Sequence, residues 1–500
     1  MDNILKYLCG ILFYLLFDEK CDIFENKTPI IIIGAGSAGI SAATRLLENG
    51  IDDFLILEAE SQIGGRIRSV EFGDGYVDLG AASCHGQKGN IVWEKLVQMN
   101  LTNLLRHTKV PNNFFLSSGK NVSEDVSNEV VHAMLEMLHY KRGSRNESMG
   151  LTYGKMYNDS ITEKFGNDRE KLEVAQSALH WLAHIVMCME GTISWYDSRS
   201  KTSYQVCEGH QELIWKGAGY GIFLDILMGK YPDQRVQLPI DEKILLNKEV
   251  TKVSWSPTAT KKRVEISCLD GSIYIARHVI FTPSLGVLKE RAEDLFVPRL
   301  PENKMAAIEN IGMGATMKVY LQYPSRWWRD EVSFNFVWGE DDKRDAMNVF
   351  PGQPSPIGES WITRLYSVEM LKENPRVLLV WITGDIVDVL ETIDDDILLS
   401  GIEFTMNKFL GHIYDIPKPE KILRSTWYSN PNFRGTYSYQ TLNTTDHIIT
   451  DLMEPLRSSD GSPVIQFAGE ATSPQHFSTV HGAIESGYRE ADRLIEMYTQ

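Results

Sequence analysis

Pro29-Ile30-Ile31-Ile32-Ile33-Gly34-Ala35-Gly36-Ser37-Ala38-Gly39 is the stretch on which the fold turns. The bare apolar run Ile30 to Ile33 reads as a strand buried on both faces that enters a glycine turn. Ile40 to Leu47 follow with apolar residues at helical spacing and end near Gly50, and Phe54 to Leu57 make a second short strand that stops at Glu58. Gly34 permits the tight turn, Gly36 lets backbone approach a pyrophosphate, and Gly39 lets helix and strand pack closely. The helix N-terminus, from Ser37 and Ala38, then turns free N–H groups towards phosphate. Glu58, about twenty residues beyond the glycines, stands where a carboxylate accepts from ribose hydroxyls. An ordinary glycine-rich loop is the plain alternative, but strand, helix and acid in this order favour a dinucleotide site.

Gly64-Gly65-Arg66 lies just past Glu58 and adds a second glycine turn with a cation for the same pyrophosphate. With this block the chain resembles the flavin-containing amine oxidases, whose N-terminal signature carries the glycine motif, the acid and Gly-Gly-Arg in this order. The resemblance implies FAD as cofactor.

The length of 500 residues suffices for two or three domains with real cores, and 43% hydrophobic with 23% charged residues is the composition of a globular protein. A formal net charge of −17 argues against nucleic acid and suits solubility or a cationic ligand. Ile4 to Phe17 form an apolar run too short to span a bilayer, similar to the core of a signal peptide, although Asp2 weakens the positive flank. It leads us to expect secretory entry, with an uncleaved membrane anchor, a helix packed on the body, or a cytoplasmic protein as alternatives. Acceptor sequons at Asn26, Asn100, Asn121, Asn146, Asn158 and Asn443 agree mildly with that route. Cysteines at 9, 21, 84, 188, 207 and 268 show no zinc spacing, and no metal is expected; Cys188 and Cys207 are a candidate bridge in an oxidising compartment.

Further blocks extend the resemblance to the C-terminus. Val70 to Gly80 reads as a hairpin, followed by the small residues Gly80, Ala81 and Ala82, which would let backbone pass close to a flat ring. Spermine and acetylpolyamine oxidases carry a histidine before glycine at this point, lining the amine site, and His85-Gly86 matches it, whereas those relatives commonly have Trp where Ser83 stands here. Val126 to Trp195 is helical in pattern; His180 and His184 read as surface or core residues, and Glu190 as a solvated carboxylate with an option on a distal ammonium. Ile244 to Trp255 reads as a strand in which Val250 matches the family position at the adenine end of FAD. Thr282 to Lys289 is again family-like.

Thr316 to Tyr323 alternates, with Lys318 on the polar face; the resemblance implies that Lys318 holds a water at flavin N5. In Thr426 to Tyr439, Trp427 would meet the cofactor and Tyr437 would be one wall of an aromatic sandwich that steers an amine. Val464 to Ala468, then Gly469-Glu470, then Ser478-Thr479-Val480 opening a helix to Met497, form a second strand and helix N-terminus; Glu470 would bind ribityl or phosphate-linked groups. The family's covalent-attachment cysteine and a second aromatic near Thr479 are both absent, so FAD is expected to be non-covalent and Thr479 to serve as the second wall, as in polyamine oxidases.

The expected fold is α/β: a discontinuous Rossmann-type FAD domain (28–115, 235–315, 426–500) with an inserted α+β substrate domain (116–234, 316–425), after a signal-like or anchor segment at 1–27. The expected reaction is polyamine oxidation. A hydride passes from the amine α-carbon to flavin N5, the imine hydrolyses to an aldehyde and a shorter amine, and dioxygen becomes hydrogen peroxide. His85 would hold or deprotonate the nitrogen. Expected partners are a small cationic amine and dioxygen, with no nucleic acid, no membrane beyond the N-terminal segment, and no reading of oligomeric state. The alternatives are an oxidase of amino acids or other amines, and a binding protein of the same fold that has lost FAD, like the GDP-dissociation inhibitors.

Overall fold

The computed structural model describes residues 26–104, 113–139, 146–256, 263–329, 331–350 and 358–499. The apolar run at Ile4 to Phe17, with Cys9 and Cys21, lies outside the described residues.

Ile30–Ile33 is the expected buried strand, set in a six-stranded sheet between Phe54–Leu57 and His278–Phe281 and parallel to both. The sheet continues through Ile244–Leu245 on one side and Pro463–Phe467 on the other, with Leu456–Arg457 as an antiparallel edge. The run has no polar residue because it has no wet face. Ile30 and Ile32 pack into the core shared with helices Ser37–Glu48 and Val480–Thr499, and Ile31 and Ile33 into the core beneath a second sheet. Each of the four side chains, buried this way, contributes about 1.5–3 kcal/mol. The two helices cross at small residues: a Cβ on Gly487 would lie 2.2 Å from the Ala38 carbonyl oxygen.

Ile244 to Trp255 is two strands rather than one. Ile244–Leu245 extends the parallel sheet, Asn247 turns the chain at φ +56°, and Val250–Ser254 enters a separate five-stranded sheet with Val264–Cys268 and Ile273–Ala276.

A mixed six-stranded sheet runs in the order Lys421–Arg424, Thr316–Gln322, Val377–Thr383, Ser367–Met370, Ser333–Val337 and Phe114–Leu116. Met317, Val319 and Leu321 pack with helix Asp395–Leu410. Helices Glu124–His139, Met149–Phe165, Arg169–Ser177 and Leu179–Glu190 form their own core with Phe114, Val337 and Tyr366. Two expected boundaries shift. Phe114–Leu116 pairs with Ser333–Val337, so the mixed sheet starts before residue 116. Leu213, Trp215 and helix Ile222–Leu227, expected with the helical part, bury against Ser37–Glu48 instead. Cys188 and Cys207 are both free thiols: Cys188 is fixed in helix Leu179–Glu190, and Cys207 faces His476 and His481. Among the described residues no helix is long and apolar enough to cross a membrane.

Gly39 is where helix and strand close on each other, since a Cβ there would stand 2.0 Å from the Gly34 carbonyl oxygen. Gly39→Ala is expected to destabilise the protein by about 1–3 kcal/mol, read as a lower denaturant midpoint with an unchanged m-value.

Candidate active site

A cavity of about 1950 Å³ runs from the glycine turn to the mixed sheet and is lined by residues of both. Of the residues singled out in the sequence, Gly34, Gly36, Ser37, Ala38, Glu58, Gly65, Arg66, Gly80, Ala81, His85, Val250, Lys318, Trp427, Tyr437, Gly469, Glu470, Thr479 and Val480 all line it. Gly39 does not, its part being the closure of helix on strand.

At one end Gly36 heads helix Ser37–Glu48 in an extended conformation with no side-chain cap, so no side chain covers the helix N-terminus. A Cβ on Gly36 would meet nothing within 4 Å except Gly64 and Gly65. This is a cradle for an anion, and it fits a pyrophosphate. Glu58 is buried beside it; its Oε2 accepts from the Ala35 N–H at 2.6 Å and its Oε1 from the Glu60 N–H at 2.8 Å. Burial pushes its pKa up, against the pull of those backbone donors.

Arg66, expected by the pyrophosphate, and Glu470, expected at ribityl or phosphate-linked groups, also meet each other: Arg66 Nη1 donates to Glu470 Oε1 at 2.9 Å and to the Thr436 carbonyl at 2.8 Å. The other Glu470 oxygen accepts from Ser438 Oγ at 2.6 Å and from the Ser478 N–H at 2.7 Å. The carboxylate is therefore spent on three segments of its own chain. It ties those segments into one cavity wall.

Lys318 lines the cavity. A strand lysine faces solvent by default, but every residue of Thr316–Gln322 is buried. Lys318 Nζ donates to the carbonyls of Asp78 at 2.8 Å and Gly80 at 2.7 Å and lies 4.8 Å from the centre of the Trp381 ring. Desolvation pulls its pKa down to about 8, with the carboxylates of Asp78 and Glu369 acting against the shift. An ammonium has three donors, so one remains after the two carbonyls. Gly80 is required here, because a Cβ would stand 1.9 Å from the Arg66 carbonyl oxygen and 3.1 Å from the Trp427 ring. Trp427 is itself fixed by donating Nε1–H to the Leu79 carbonyl at 2.8 Å.

Tyr437 donates its hydroxyl to the Cys188 carbonyl at 2.5 Å, and its ring presses on Gly191, where a Cβ would come within 2.0 Å. Gly191, at φ +66°, ends helix Leu179–Glu190. The ring is thus held at both its hydroxyl and its flank. The Thr479 hydroxyl is committed within the chain, donating to the His476 carbonyl at 2.6 Å and accepting from the Gly482 N–H at 3.0 Å. His85 is exposed, with Nδ1 2.8 Å from the Gln211 carbonyl oxygen; that contact makes Nδ1 the protonated nitrogen and leaves Nε2 as the acceptor. Ser83 lines the cavity and pairs with Ile214.

The sequence reading undervalued Glu190. Rather than a solvated carboxylate, it is a half-buried wall of the cavity, and desolvation alone pushes its pKa up to about 7. Its place directly before a helix-ending glycine was the available signal.

The family described as flavin containing amine oxidoreductase matches residues 37–495. The protein anon-37Cs of Drosophila lebanonensis is 29% identical over 95% of this chain and 89% of its own length. The human peroxisomal N(1)-acetyl-spermine/spermidine oxidase is 28% identical over 94% of this chain and 95% of its own. A redesigned putrescine oxidase shares the fold with a TM-score of 0.61 at 15% identity, over 94% of this chain and all (100%) of that one.

Glu470→Ala leaves Arg66 without its partner in a site that is three-quarters buried. Removing one partner of a buried pair costs on the order of 3 kcal/mol. The expected outcome is a lower denaturation midpoint together with loss of yellow cofactor during gel filtration.

Proposed function

The chain belongs to the flavin-containing amine oxidoreductases, and we propose that within this FAD-dependent family it oxidises polyamines, with spermine or N1-acetylated polyamines as substrates. The observation that carries the proposal is the Glu190 carboxylate in the wall of the same cavity as Lys318 and Tyr437. It is an acid raised by desolvation and ready for a distant cation.

The residues of the Gly36 turn and the Lys318 wall would hold FAD non-covalently, and the bound group would supply two-electron redox chemistry, as hydride acceptor for the amine α-carbon and electron donor to dioxygen, with hydrogen peroxide as the second product. The chain's own residues do the rest. Glu190 fixes one ammonium of the substrate by charge, and a long substrate then lies along the cavity towards Lys318. The Tyr437 ring, held by Cys188 and Gly191, attracts the cationic chain and orients its carbon. His85 Nε2 accepts a proton from the reacting nitrogen, because a protonated amine has no lone pair to support a forming imine. Lys318 uses its remaining N–H to hold one water, which supports hydrolysis of that imine to an aldehyde and a shorter amine.

An amino acid oxidase would want an arginine for the substrate carboxylate. The two arginines that line the cavity, Arg66 and Arg291, are already paired with Glu470 and Glu249, which favours an amine over an amino acid.

The test is the absorbance of the purified protein, mixed anaerobically with spermine or N1-acetylspermine. Bleaching of the flavin bands with either is expected; bands that persist with both discard polyamines as substrates. Glu190 gives a second test. A carboxyl with a pKa of about 7 gains charge as pH rises from 6 to 8, so KM is expected to fall across that window in the wild type. Glu190→Gln should raise KM roughly tenfold, about 1.4 kcal/mol, and flatten that part of the profile. Lys318→Met should retain FAD yet change at least one of the two half-reactions, measured by rapid mixing with substrate and then with dioxygen.

A further inference from the structure

Outside the cavity, at the start of helix Val480–Thr499, three metal-ligating side chains converge. Cys207 Sγ lies 3.9 Å from His476 Nε2 and 3.9 Å from His481 Nε2, and the three atoms lie within 4.8 Å of one another. In a tetrahedral zinc site, with Zn–S of about 2.3 Å and Zn–N of about 2.0 Å, a sulfur and a nitrogen ligand stand about 3.5 Å apart. The spacing found here closes on an ion with shifts of a few tenths of an ångström at sulfur and a rotation of the imidazoles that brings their nitrogens, within 4.8 Å of each other, to about 3.3 Å.

Two further features belong to such a site. His476 Nδ1 lies 2.8 Å from Glu485 Oε2, so the carboxylate accepts from Nδ1–H and leaves the Nε2 lone pair facing the cluster. This carboxylate–histidine arrangement is how metal-binding imidazoles are oriented. Cys207 and His481 are buried, at 6% and 2% exposure, while His476 is partly open, so the cluster is dry on two sides and reachable on the third. None of the three residues lines the substrate cavity.

We propose that Cys207, His476 and His481 form a zinc site, with water in the fourth position. Binding releases the thiol proton to solvent and forms one Zn–S and two Zn–N bonds. The site fastens residues 476–481 to the segment around Cys207. Because that loop carries Ser478, Thr479 and Val480 into the cavity, an occupied site stiffens one wall of the cofactor pocket. The proposal goes beyond the reading of the cavity as an amine oxidase and does not depend on it.

The test uses the FAD-loaded protein equilibrated with Zn²⁺ and desalted, with zinc counted per chain by atomic emission. One zinc per chain is expected in the wild type and none in Cys207→Ser, whose side chain keeps nearly the same shape. Co²⁺ in place of zinc should give a thiolate-to-cobalt charge-transfer band that Cys207→Ser lacks. Glu485→Gln leaves all three ligands in place and should weaken zinc binding 10- to 100-fold, which keeps the test open if Cys207→Ser fails to fold. Chelation should lower the melting temperature of the wild type and leave Cys207→Ser unmoved. No zinc on the wild type, equal zinc on wild type and Cys207→Ser, unchanged affinity in Glu485→Gln, or copper alone retained would each overturn the proposal.

Discussion

The ion pair between Arg66 and Glu470 holds together parts of the chain about four hundred residues apart. Arg66 follows the second glycine turn, and Glu470 follows the last strand of the parallel sheet. Through the Thr436 carbonyl, Ser438 and Ser478 the same pair reaches the segment that carries Tyr437 and the start of the last helix. Three segments of the cavity wall are therefore referred to one buried pair. Buried pairs are poor stabilisers when compared with well-packed apolar residues, because two charges must leave water. Their use here is geometric: the acceptors and donors around Glu470 admit one arrangement of three segments.

The nucleotide half of the molecule was legible in sequence because its chemistry is local. Ile30 to Ile33, the three glycines and Glu58 lie within thirty residues, and each residue type is required by backbone geometry or close approach. The reacting half was legible only through resemblance. Composition gives no reason for Lys318 to be buried, since the carbonyls of Asp78 and Gly80 that receive it are over two hundred residues away. The pairing of Arg66 with Glu470 was hidden for the same reason, as the partners lie across the length of the chain. Glu190 was undervalued because solvent exposure is the default for a glutamate at a helix end. The Cys207 cluster could not be read at all, because its ligands come from segments with no fixed spacing. The expected Cys188–Cys207 bridge failed because those two residues serve different neighbourhoods.

The cavity sorts its charges by depth. Glu58 and Glu470 are acids whose oxygens are occupied by the chain, whereas Glu190 pairs with nothing that would hold down its pKa. Lys318 is the counterpart on the opposite sign, lowered by burial and still charged over most of the neutral range. Along the cavity an acid at Glu190 thus stands apart from a cation at Lys318.

The crossing of helices Ser37–Glu48 and Val480–Thr499 at Gly487 and Ala38 bears on how the protein is made. The central strand of the parallel sheet leaves the ribosome more than four hundred residues before the helix that seals one of its faces. Contacts this distant in sequence close late and slowly. Until that helix emerges, the glycine turn and its apolar strand wait with one side unsealed, exposed to chaperones and to neighbouring nascent chains. The phosphate cradle is finished only once Val480–Thr499 has been made.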